Sequence, residues 1–362
     1  MGIVIIPPHM IQKLITILFC FSLQSMTLEE KVGQLLMVHF RGETPNDDAK
    51  TLIQDVCVGG IIYYNWANGL SSPSQVQTLS KGIQALASTP LLIAVDQEGG
   101  TMSRFTHGFT KFPGNRELGM IGDPDLTEKT AFAIGQELQA LGINMNLAPV
   151  VDVDTNPRNP IIGTRSYSHS PETVFIHGER AARGYKQANI IATLKHFPGH
   201  GDVAIDSHLD LPVLHKTLEE LESCELLPFA KLAPSVDAIM TAHILAPALD
   251  EEYCATLSSK TVKYLRDTLG FQGMIISDSL VMKGVLKQCQ SIDEAAICAL
   301  NAGCDMLILG GGGLLELTIA DVKRIHRSIA DAVKSGRISE ERLSQAVEKI
   351  LNLKEQYGLT PH

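Results

Sequence analysis

From Thr27 onward the chain alternates short apolar runs with longer amphipathic stretches. Eight runs stand out, at 36–40, 59–64, 91–95, 145–151, 192–196, 238–243, 274–277 and 305–309. Each carries apolar residues on both faces, as strands of a parallel sheet do when both of their faces are covered. Apolar residues with a helical repeat fill the intervals, most clearly at 74–87, 125–141, 171–188, 217–232, 259–269 and 292–302. A capping box formed by Thr27 and Glu30 opens a first helix through Val32, Leu35 and Leu36. Two last helices are predicted at 319–335 and 339–357. Eight βα units of this kind predict an α/β fold, a single (β/α)8 barrel of the triosephosphate isomerase type. An open doubly wound sheet yields the same alternation, and periodicity alone does not separate the two.

The first 25 residues break this rhythm. Lys13 precedes an apolar run at 14–23, too short for a membrane span but of the length of a signal-peptide core. The run ends in Ser22-Leu23-Gln24-Ser25 rather than an A-x-A cleavage site, and Met10 and Met26 are alternative starts. The segment reads either as an export signal or as a peripheral extension, which leaves cytoplasm and periplasm both open. The expected organisation is an extension over 1–25 and one barrel domain over 26–362, with no transmembrane span and a monomeric state. With 362 residues, 44% of them hydrophobic, the chain has ample core for one large domain. A net charge of −10 without a Lys/Arg cluster argues against a nucleic-acid partner. The seven cysteines form no CxxC pair and no zinc spacing with the 12 His, so buried free thiols are expected and no metal site.

In a barrel the chemistry sits at the carboxyl ends of the strands, and those positions are unusually polar here. Asp96, Gln97 and Glu98 follow the third run, and Asp152, Asp154 and Arg165 follow the fourth. Lys195 and His196 end the fifth, His243 the sixth and Asp278 the seventh. Buried charges cost several kcal/mol unless paired, so such a ring is either a structural ion-pair network or a site.

Longer strings decide between those readings. Lys195-His196-Phe197-Pro198-Gly199-His200-Gly201-Asp202, followed by Asp206-Ser207-His208, resembles the signature of family 3 glycoside hydrolases of the β-N-acetylglucosaminidase branch. Asp96-Gln97-Glu98-Gly99-Gly100, Asn159-Pro160, Gly163 through Tyr167, and Ser277-Asp278-Ser279-Leu280 are similar to the same family, and the likeness runs from Thr27 to Leu359.

The resemblance implies a retaining exo-β-N-acetylglucosaminidase with no cofactor, acting on muropeptide fragments during cell-wall recycling. It makes Asp278 the nucleophile that forms a glycosyl-aspartate. His208, steadied by Asp206, is the expected acid and then base, where most retaining glycosidases use a second carboxylic acid. Carried over residue by residue, Asp96 would accept from sugar hydroxyls, while Arg104, Arg165, Lys195 and His196 would donate to hydroxyls and the acetamido group. A neutral imidazole base does not repel an anionic acceptor, so phosphorolysis is an alternative outcome, as is a β-glucosidase-type activity or a silent sugar-binding barrel. Thr101 departs from the family pattern, where an Arg commonly follows Gly100. The run Gly310 to Gly313 lacks the Lys-Ser or Lys-Thr partner of a phosphate loop and is expected to be a rim loop.

Overall fold

A computed structural model of the chain describes residues 23–105, 107–311 and 315–360. The apolar run up to residue 22 with Cys20, on which the export reading rests, lies outside the described residues, as do Gly312 and Gly313.

All eight apolar runs become parallel strands: β1 Leu36–Val38, β2 Gly60–Ile62, β3 Leu92–Val95, β4 Met145–Asn146, β5 Ile191–Phe197, β6 Ala238–Thr241, β7 Met274–Ser277 and β8 Leu307–Leu309. Their order is β7-β6-β5-β4-β3-β2-β1-β8, and β8 pairs with β1 through Leu36 and Leu307. The Ile276–Met306 bridge and the Ser277 amide bonded to the Met306 carbonyl at 2.9 Å close the ring between β7 and β8. The sheet is therefore a (β/α)8 barrel, not an open doubly wound sheet. Every strand residue is buried, and helices cover the outside.

Three expectations are modified. The 145–151 run keeps only two ladder residues, and the strand is interrupted at Pro149, which has no amide hydrogen to give. Pairing with β5 resumes at the Val150–Lys195 bridge. The helix expected over 217–232 is two helices, Leu218–Ser223 and Leu227–Leu232. Pro228, unable to donate to a carbonyl one turn back, sits in the first turn of the second, where that loss is harmless. The Thr27/Glu30 capping box is present, its helix ends at Gln34, and Leu36 belongs to the strand.

Backbone proximity also shapes the rim. A side chain at Gly201 would place a Cβ 1.8 Å from the Val153 carbonyl oxygen. Only glycine lets the segment after β5 lie against the segment after β4 there. Among the described residues no helix is long and apolar enough to cross a membrane. The six described cysteines are unpaired, with Cys254 and Cys304 buried.

Candidate active site

A cavity of about 330 Å³ opens at the carboxyl ends of the strands. Asp96, Arg104, Arg165, Lys195, His196, His208 and Asp278 all line it. Asp206 is the one expected site residue that does not; it stands behind His208 and bonds to it.

The floor is a network of buried charges. Lys195, near the carboxyl end of β5, has only 2% of its side chain exposed, and its Nζ lies 2.8 Å from Asp96 Oδ1 and 2.8 Å from Glu98 Oε1. Arg104 Nη2 donates to the other Asp96 oxygen at 3.0 Å. Arg165 grips Glu98 through both Nε and Nη2, at 3.0 and 2.8 Å. Burial alone would raise both carboxyl groups, but the facing cations outweigh it. Asp96 is held well below the usual carboxylate range, and Glu98 falls to about 2. The two carboxylates thus remain ionised, each facing two cations. An ammonium has three donors. Lys195 therefore keeps one N–H for an occupant. Arg104 Nε is buried with no partner among the described residues.

Asp278 follows β7 directly, its amide donating to the Thr241 carbonyl at 3.0 Å, while its Oδ1 accepts from the Ser279 amide at 2.7 Å. Burial pushes this carboxyl up. His243, His196, His208 and the Ser279 amide overcome that push and leave it below its ordinary value. The side chain is an anion at neutral pH, held by the strand end and facing the cavity. His243 is itself fully buried, and burial lowers its affinity for a proton against the pull of Asp278. Its ring spans Thr256 Oγ1 at 2.9 Å and the Ser279 carbonyl at 2.8 Å, which locks it behind Asp278.

Fully buried Asp152 takes three hydrogen bonds: from the His196 amide at 3.1 Å, from His196 Nδ1 at 2.7 Å and from the His200 amide at 2.6 Å. The bond from Nδ1 assigns the tautomer of His196. In the neutral ring Nε2 carries a lone pair, so His196 presents an acceptor to the cavity unless it is protonated, whereas the sequence suggested a donor.

The loop 202–210 supplies the remaining groups. His208 Nδ1 donates to Asp206 Oδ1 at 2.8 Å, and the same oxygen accepts the His208 amide at 2.8 Å. The His208 side chain is 47% exposed, against 2% for Lys195, so it meets both cavity and solvent. Nε2 is then the atom left to exchange a proton.

Residues 27–353 match the family described as the N-terminal domain of glycosyl hydrolase family 3. The chain belongs to that family. It is 36% identical over 375 residues to a protein named beta-hexosaminidase A from Pseudoalteromonas piscicida, covering 91% of this chain and 61% of that one. It is 37% identical over 281 residues to a beta-hexosaminidase from Thiobacillus denitrificans, covering 76% and 77%. Among solved structures, a family 3 β-N-acetylglucosaminidase from Paenibacillus sp. str. FPU-7 superposes with a TM-score of 0.88 at 43% identity, over 92% of this chain and 63% of that one. The chain thus spans about three-fifths of the length of two of these relatives.

Several residues of this family 3 site were not assigned from sequence. Glu98 and Asp152 were seen at strand ends, but their parts, as counter-charges to Lys195, Arg165 and His196, depend on distances that spacing does not give. Tyr64 and Trp66 also line the cavity, their rings stacked at 5.3 Å. Their position just after β2 was the available signal. The second cavity, about 550 Å³, lies on the far side of Arg165 and Glu98 and includes Thr101. Gly311 reaches the main cavity, where it lies beside Ser279. Among the described residues no cluster of three or more His, Cys, Asp or Glu side chains is arranged to hold a metal ion.

Proposed function

We propose that this chain is a retaining exo-β-N-acetylglucosaminidase that works through a glycosyl-aspartate on Asp278. The observation that carries the reading is the meeting, in one cavity, of a low-pKa carboxylate on a strand end and an imidazole already bonded to a carboxylate of its own loop. The relatives named beta-hexosaminidase and the Paenibacillus β-N-acetylglucosaminidase support the choice of sugar.

In the first step Asp278 attacks the anomeric carbon while the imidazolium of His208 gives its Nε2 proton to the departing glycosidic oxygen. Asp206 stabilises that cation through Nδ1. The neutral ring then takes a proton from water at Nε2, and the resulting hydroxide equivalent displaces Asp278, restoring both groups with net retention. Asp96 accepts from sugar hydroxyls, and the free donors of Lys195 and Arg104 give to hydroxyls or the acetamido oxygen. Because these charges are ordered before substrate arrives, little reorganisation is left for the transition state. The natural substrate on this reading is a muropeptide fragment bearing terminal N-acetylglucosamine.

The test is a paired assay of p-nitrophenyl N-acetyl-β-glucosaminide against p-nitrophenyl β-glucoside. Preference for the plain glucoside overturns the assignment. The same reaction run with and without inorganic phosphate separates hydrolysis from phosphorolysis, since only the latter yields a sugar 1-phosphate.

A further inference from the structure

The geometry points to His200 and Ser207 as a positioning pair that holds the His208 loop over Asp278. Ser207 lies between the two loop residues of the proposed proton shuttle, yet it is 2% exposed while His208 is open to solvent. Its hydroxyl shares a 2.9 Å hydrogen bond with His200 Nε2, a partner on the segment that follows β5. Two backbone bonds complete the anchorage, from the Gly284 amide to the Ser207 carbonyl at 3.0 Å and from the Lys283 amide to the His208 carbonyl at 3.3 Å. A Cβ at Gly284 would come within 2.8 Å of the Ser207 carbonyl oxygen, so this contact is already close.

His200 is rigid enough for the task. Its amide is held by Asp152 at 2.6 Å, and its carbonyl accepts from Asn159 Nδ2 at 2.6 Å. Burial lowers its ring pKa to about 4, so at neutral pH it is an uncharged hydrogen-bonding group and not a competing acid. Its Nδ1 is buried with no partner among the described residues, although the ring lines the cavity. The connection from cavity to loop is continuous: His196 and His200 share the Asp152 carboxylate, His200 holds Ser207, and Ser207 precedes His208. Without the His200–Ser207 bond, the anchorage falls back on the backbone contacts to the first residues of the Lys283–Leu286 helix, and His208 Nε2 is no longer fixed relative to the glycosidic oxygen. Neither residue touches the departing oxygen, so both act through His208.

This rests on the acid/base reading of His208, and one series of variants separates the two. Wild type, Ser207→Ala, His200→Ala, His200→Gln and His208→Ala are compared on N,N′-diacetylchitobiose, whose leaving group needs a proton, and on 2,4-dinitrophenyl N-acetyl-β-glucosaminide, whose leaving group does not. Ser207→Ala and His200→Ala are expected to lose about tenfold or more in kcat/KM on the disaccharide, and less than about threefold on the activated glycoside. Inhibition by N-acetylglucosamine should be unchanged. Gln at 200, whose amide reaches where Nε2 stood, should recover most of the loss, and the double Ala variant should be no worse than either single one. Equal losses on both substrates, or none, overturn the positioning role. Ser207→Ala removes one oxygen and decides the matter even if His200→Ala does not fold. If His208→Ala itself shows no such selectivity, the acid/base reading fails; if it does and Ser207→Ala does not, only the positioning pair fails.

Discussion

The floor of the cavity and the loop above it are built on opposite principles. Lys195, Glu98, Asp96 and Arg165 are charges taken out of water and matched to one another on strand ends. His208 stands on a loop with half its side chain in solvent and a single charged partner two residues away. The first arrangement suits groups that must recognise a sugar without moving, since breaking any pair there leaves a buried charge alone. The second suits the proposed acid/base role, in which the group gains and loses a proton in every turnover while an aglycone leaves and water enters. Variants of the floor should therefore damage stability and binding together, whereas variants of the loop should damage chemistry alone.

The largest effect tests the proposed nucleophile, which stands on a strand end beside that floor. Asp278→Ala is expected to lower turnover on the order of 10^5-fold on aryl glycosides and disaccharides alike, because no other group can form the intermediate. Residual turnover that depends on the leaving group would place the nucleophile elsewhere. His208→Ala should cost ~10²–10⁴-fold on substrates with poor leaving groups, with a far smaller loss in the first step on activated ones. Its urea denaturation midpoint should match wild type; a clear drop would erase the contrast between loop and floor. Lys195→Ala should do the reverse in stability, losing roughly 3–5 kcal/mol by denaturant unfolding as Asp96 and Glu98 are left short of a cation.

The smallest expected effect is in acid. Glu98 has a folded-state pKa of about 2 against an ordinary value of 4.5. A depressed carboxylate contributes stability that is present in full above the unfolded value and lost as pH falls through the folded one. The contribution, on the order of 3 kcal/mol, should thus fade between about pH 4.5 and 2. Glu98→Gln should be less stable than wild type at pH 7, and the gap should narrow across that window. A gap that stays constant down to pH 2 would mean that Glu98 is not held as an anion by Arg165 and Lys195. His200 works in the same direction over a higher range. Its neutral form is favoured by burial, so its contribution is complete above about 6.5 and lost toward 4.

Much of this was legible in the sequence, and the failures have physical causes. Strands buried on both faces leave short runs with apolar residues on either face, so all eight could be located, and the barrel rule then pointed to Asp96, Lys195, His196 and Asp278 as the residues at their ends. Closure could not be read from periodicity, because the β7–β8 and β8–β1 contacts join segments whose local patterns are the same in an open sheet. Pro149 and Pro228 were visible, yet their effects on β4 and on the helix expected over 217–232 depended on which amide the fold required at each place. Asp96 and Lys195 are 99 positions apart and meet at 2.8 Å. Nothing in local spacing says which cation will meet which carboxylate, and for that reason Glu98, Asp152 and His200 had no part assigned to them.

The last strand to be synthesised, β8, is wedged between the first strand and the one that carries Asp278. A polypeptide still leaving the ribosome has every side chain named above before it has a wall to hold them in place. The cavity and the proposed nucleophile thus depend on a β8–β1 contact that spans nearly the whole barrel sequence, the kind that is slowest to form.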